Sequence, residues 1–110
     1  MSEWDLVLER ASEASGRSVL VVSGEVDLSV ADRLAAELGE LLAAGDAVVD
    51  LSAVGFIDSS GVRELLRANQ RAADVGSALA LRAPSPACRR VLEISGVWSE
   101  FAVEDDPSLR

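Results

Sequence analysis

The chain has no histidine and no lysine among its 110 residues, a single cysteine, and only Trp4, Phe56, Trp98 and Phe101 as aromatics. Each shortage removes chemistry. Without histidine the chain lacks the side chain that most often serves as general base near neutral pH and most often binds zinc. The one thiol, Cys88, can neither close an internal disulfide nor build a thiolate cage for a metal. A self-contained hydrolase or metalloenzyme is therefore not expected, and no catalytic, cofactor or metal site is assigned. No apolar run approaches the ~20 residues that cross a bilayer, and no charged-then-apolar leader opens the chain. The expected address is cytoplasmic, without membrane insertion.

What is present suits a packed core. Hydrophobic residues make up 49% of the chain and charged residues 26%, too apolar a balance for disorder. The length fits one domain, with a core over about residues 4–104 and a polar tail over 105–110. The net charge of -9 repels nucleic acid and anionic membrane surfaces, so neither is an expected partner. Every cation is an arginine, a compositional bias that also suits a protein–protein interface.

Hydrophobic periodicity gives the elements. Residues 4–9 read as an edge strand, Ala11 to Gly16 as a turn, and Ser18 to Val22 as a strand buried on both faces. Gly24-Glu25-Val26-Asp27 breaks that run, and Ser29 with Asp32 predicts a capped helix start. Val30, Leu34, Leu38, Leu41 and Leu42 then recur at helical spacing up to Gly45. Ala47 to Leu51 is the next strand, and Ser52 to Ile57 leads to a second helix beginning at Asp58-Ser59-Ser60-Gly61. Its core stripe is Val62, Leu65, Leu66, Asn69, Ala72 and Ala73, ending at Gly76. Ala78 to Ala83 is a strand, Ser85-Pro86 caps a short helix ending at Gly96, and Phe101 to Val103 is a final strand. The order β-β-α-β-α-β-α-β predicts an α/β domain with a mixed, mostly parallel central sheet covered by helices.

Two strand-to-helix turns hold polar residues that a core does not need: Glu25 and Asp27 in one, Asp58, Ser59 and Ser60 in the other. If their strands are parallel neighbours, both turns lie at the carboxyl edge of the sheet, where open α/β sheets place their sites. Ser59 at a helix start is expected to face unpaired N–H groups and the positive end of the dipole, which favour a phosphate. Gly61 is expected to keep the turn open for another protein. The plainer reading of Asp58 and Ser59 is a helix cap, and on residues alone both readings stand. Gly55 to Gly61 lacks the Gly-Lys-Ser/Thr ending of a phosphate-binding loop, and no Gly-x-Ser-x-Gly nucleophile elbow occurs.

Gly24-Glu25-Val26-Asp27, Phe56-Ile57-Asp58-Ser59-Ser60-Gly61 and Ser85-Pro86-Ala87 through Ile94-Ser95-Gly96 appear in order over nearly the whole domain. Together they resemble the STAS domains of bacterial anti-sigma factor antagonists. The resemblance implies a non-enzymatic partner switch. The dephosphorylated protein would bind an anti-sigma factor that is also a serine kinase, and so free a sigma factor. The kinase would use Mg-ATP to phosphorylate Ser59, and a separate serine phosphatase would reset it. Asp27, Asp58, Ser59, Ser60, Gly61, Val62 and Arg63 become the candidate partner-binding residues. One departure is Val62-Arg63, where many members carry Leu-Gly, and this places a long cation in the docking surface.

Arg63, Arg67 and Arg71 recur four apart, as a solvated face or as a docking strip for an acidic partner. Cys88 reads as a small buried hydrophobe, Trp98 as a lid over the core edge, and Glu104-Asp105-Asp106 as a solvated end. Two other functions fit the residues: a STAS adaptor subunit of a larger assembly, such as a transport ATPase or stress-sensing complex, and a nucleotide-responsive binding domain.

Overall fold

The computed structural model describes residues 5–105, so Trp4 and Asp106 lie outside it. Strand β1, Val7–Ser12, pairs antiparallel with β2, Ser18–Val26. It starts later than its apolar pattern suggests and runs through Ser12, because pairing from Val7↔Ser23 to Ser12↔Ser18 outweighs hydrophobicity. Glu13 to Gly16 alone makes the turn, closed by Gly16 N–H to the Glu13 carbonyl at 2.9 Å.

Helix α1, Ala31–Ala43, connects β2 to β3, Ala47–Ile57, and α2, Ser59–Asp74, connects β3 to β4, Leu79–Arg82. Helix α3, Pro86–Ile94, leads through a 3-10 turn at Trp98–Glu100 to β5, Ala102–Glu104. The described residues thus follow the expected order, with the sheet arranged β1-β2-β3-β4-β5 and β2 to β5 parallel. Leu34 and Leu38 of α1, Leu65 and Ala68 of α2, and Cys88 and Leu92 of α3 join Leu20, Val22, Val49, Leu51 and Leu81 in one buried cluster. Ala68 belongs to this core and Ala73 is exposed, while Asn69 turns aside to donate to the Glu100 carbonyl at 3.0 Å.

Two expected boundaries are corrected. Gly24 does not end the second strand; β2 continues to Val26, and β3 extends to Ile57. Both strands stay paired because the ladder absorbs irregularities between Val21 and Ser23 and between Gly24 and Glu25. At each, β3 carries one extra residue, the signature of a β-bulge. Gly24 takes a φ of 96°, open to glycine and strained for other residues. On β3 the Asp50 carboxylate accepts from Ser52 N–H at 3.0 Å, holding the first bulge. The helix start also moves. Ser29 does not begin α1; it lies in a 3-10 turn, Leu28–Val30, capped by Asp27, and α1 follows from Ala31.

Candidate functional site

Parallel pairing of β2 with β3 places Val26 opposite Ile57, so the turns that follow these strands share one edge of the sheet. Hydrogen bonds tie the two turns together. Asp58 N–H donates to the Val26 carbonyl at 3.1 Å, and the Leu28 amide helps to hold the Asp58 carboxyl in its charged form. The expected convergence of Asp27 and Asp58 is thus a bonded junction.

Asp58 is the cap of α2. Its carboxylate accepts from Ser60 N–H at 2.9 Å, from Gly61 N–H at 3.3 Å, and from the Ser60 hydroxyl. Burial alone would raise its pKa, yet bonds from the Ser60 hydroxyl and from the Gly61, Ser60 and Leu28 amides hold the carboxyl below its ordinary range. Asp27 repeats the device on a smaller scale, accepting from Ser29 N–H at 3.0 Å and from the Ser29 hydroxyl at 2.6 Å.

The paired serines separate cleanly. Ser60 is buried and its hydroxyl is committed to Asp58, whereas Ser59 stands exposed at the first position of α2. The adjoining amides are not the vacant anion cradle expected there, because Asp58 already occupies those of Ser60 and Gly61. Gly61 is likewise corrected. It is buried, and a Cβ on it would stand 2.7 Å from Val26 Cγ1 and 2.8 Å from Ile57 Cγ1. Its missing side chain lets α2 close on the strand ends; it does not hold open a path for another protein. Val62 is buried beside it.

Of the candidate docking residues, Ser59 and Arg63 are exposed, Asp27 and Asp58 are half-buried, and Ser60, Gly61 and Val62 face the core. Two further residues on this edge were not among the candidate docking residues. Leu28, 70% exposed in the 3-10 turn, and Phe56, 47% exposed near the end of β3, leave apolar surface uncovered on the segments that form the two turns. The available signal was their position, large apolar residues flanking the polar motifs where neither strand alternation nor a helix stripe needs them. Such edge surface suits a protein partner.

Elsewhere, Arg67 lies 3.2 Å and Arg63 3.9 Å from the Glu64 carboxylate, so the arginine row is partly neutralised within α2. Cys88 is fully buried, and burial pushes its thiol up to about 11, away from thiolate chemistry. Trp98 packs against the core edge under the Arg89 guanidinium, 4.7 Å from the ring centre. Glu104 is not a solvated end; it pairs with Arg17 and Arg82. Among the described residues no group of metal-ligating side chains is assembled, and no helix is long and apolar enough to cross a membrane.

Known proteins match this chain in sequence and in fold. Residues 9–99 match the family described as "Mlab, STAS domain". The anti-sigma-F factor antagonist RsfB of Mycobacterium tuberculosis is 34% identical over 73 residues, which cover 64% of this chain and 60% of RsfB. The match therefore spans about three fifths of that relative's length. BtrV of Bordetella bronchiseptica is 33% identical over 90 residues, covering 80% of this chain and 78% of BtrV. A crystal structure of an anti-sigma factor antagonist from Mycobacterium paratuberculosis superposes with a TM-score of 0.85 at 27% identity, over 97% of this chain and 92% of that one.

Proposed function

We propose that this chain, which belongs to the STAS-domain family, is an anti-sigma factor antagonist switched by phosphorylation at Ser59. Antagonists of this family are regulatory binding proteins rather than enzymes. The observation that carries the switch is the division of labour between the two serines. Ser60 is buried and bonded to Asp58, while Ser59 presents an exposed hydroxyl at the junction of both turns. A kinase can reach Ser59 without opening the fold.

In the unmodified state the docking surface is Ser59, Leu28, Phe56 and Arg63, with Asp27 and Asp58 holding the turns in place. An anti-sigma factor that is itself a serine kinase binds there, releases its sigma factor, and uses Mg-ATP to modify Ser59. A serine phosphatase reverses the modification. Phosphate adds about -1.5 to -2 charges at pH 7. A partner packed over Leu28 and Phe56 would have to desolvate that anion next to Asp58. A 100-fold loss of affinity requires only about 2.7 kcal/mol, within reach of one poorly paired buried phosphate.

Calorimetric titration of the unmodified and phospho-Ser59 proteins against the cognate anti-sigma factor tests this. The expected result is at least a 100-fold weaker complex for the phosphoprotein, with circular dichroism unchanged. Equal affinities would remove the switch and favour an adaptor role for the same surface.

A further inference from the structure

We propose that Arg63 is a phosphate latch, an intramolecular partner that leaves Glu64 and clamps the phosphate once Ser59 carries one. The inference rests on Ser59 being the acceptor and adds how the modified state is held. It follows from what surrounds that hydroxyl. The amides of Ser60 and Gly61 are consumed by the Asp58 carboxylate, so the start of α2 has little backbone left to offer an anion. The nearby charges on the capping turns are negative, Asp58 on the α2 cap and Asp27 on the 3-10 turn. A phosphate on Ser59 therefore meets water and carboxylates unless a side-chain cation reaches it.

Arg63 is that cation. It lies four residues after Ser59 in α2, and residues so spaced stand on one helix face about 5–6 Å apart at Cβ. The acidic group precedes the basic one along the chain, the favourable orientation for such a pair. Arg63 is also available. Its side chain is 55% exposed, and its contact with the neighbouring Glu64 is long at 3.9 Å. Glu64 keeps a better partner in Arg67 at 3.2 Å, so its nearly buried carboxylate is not stranded when Arg63 swings away. A guanidinium can then meet two phosphate oxygens in a fork, which its single 3.9 Å contact with Glu64 does not provide.

The latch has a consequence for switching. Phosphorylation changes the docking edge twice, by adding an anion and by withdrawing the Arg63 guanidinium from any partner carboxylate. It also keeps the phosphate dianionic and held against α2.

The test installs phosphoserine at position 59 of the full chain during translation, so that no kinase is needed. Phosphorus NMR titrations then compare the otherwise native protein with Arg63→Met, Arg63→Lys and Arg67→Met. The expected second phosphate pKa is lower by about half a unit in the native protein than in Arg63→Met, a roughly threefold change in proton affinity. Arg63→Lys should recover part of the shift, and Arg67→Met, which leaves Glu64 with Arg63 alone, should lose part of it. Equal values for the native protein and Arg63→Met would overturn the latch, as would a larger loss of the shift in Arg67→Met than in Arg63→Met. The readout is independent of any partner. Loss of the latch with intact partner release would spare the switch, and a persistent complex with the phosphoprotein would sink the switch while leaving the latch standing.

Discussion

Ser59 and Ser60 have the same side chain and are adjacent, yet the backbone assigns them opposite fates. The first residue of α2 points its hydroxyl outward, and the next turns inward to meet the capping carboxylate. A hydroxyl in that inward position has an acceptor waiting, so removing it leaves Asp58 with one bond fewer in a half-buried setting. Ser60→Ala should therefore cost about 1 kcal/mol, whereas Ser59→Ala should stay within about 0.5 kcal/mol of the native protein. Urea denaturation of both variants measures the difference directly. A Ser59→Ala loss as large as that of Ser60→Ala would mean that the outer hydroxyl also has a structural bond.

At the scale of elements, the site is a joint between two turns, and Asp58 is its pin. One carboxylate caps α2 through the Ser60 and Gly61 amides, and the Leu28 amide of the 3-10 turn favours its charged form. Asp58→Ala should cost about 0.5–2 kcal/mol as a lost cap and should also speed hydrogen exchange at Leu28, which a purely local cap would not do. The folded carboxyl titrates below its ordinary value of 3.8, so its contribution is complete above that value and fades as pH falls further. The gap between native and mutant stability should narrow below pH 3.8; a gap that widened in acid would contradict the bonding. Much of this architecture is legible in one dimension. The apolar stripe Leu34, Leu38, Leu41 and Leu42 defines α1, Ser85-Pro86 caps α3, and the two polar turns mark the functional edge. What could not be read is where pairing overrides pattern. Gly24 looks like a strand breaker and instead stays in the ladder opposite Val54, because the extra residues of the flanking bulges lie on β3. Gly61 looks like an opening and is instead a point of close packing, because the atoms that need its missing Cβ belong to Val26 and Ile57.

For the whole molecule, the strongest polar element is one that no local pattern announces. Arg82 at the end of β4 is buried and bonds both Glu13, from the β1–β2 turn, and Glu104, from β5, the latter at 2.8 Å. Arg17 completes the ring, 2.7 Å from Glu13 and 3.0 Å from Glu104. The ring joins the β1–β2 turn to β4 and β5, with 69 residues separating Glu13 from Arg82, which is why the sequence pattern marks Glu104 only as a solvated end. Single exposed ion pairs contribute little, but breaking one arm here leaves a buried guanidinium short of a partner, which costs far more than the pair itself contributes. Glu13→Gln should thus lower the melting temperature at pH 7, while Glu37→Gln, which breaks the exposed Arg10–Glu37 pair at 2.7 Å, should barely move it. Acid supplies the sharper test. The Arg17 and Arg82 hydrogen bonds hold the Glu13 carboxyl near 2, against an ordinary 4.5. A depressed folded pKa means that the stabilisation is complete above pH 4.5 and is lost as pH falls toward 2. Across that window the native protein should lose stability faster than Glu13→Gln, and the two melting curves should approach each other near its lower end. Parallel curves from neutral pH down to the acid limit would show that Glu13 does not carry its charge into the folded ring.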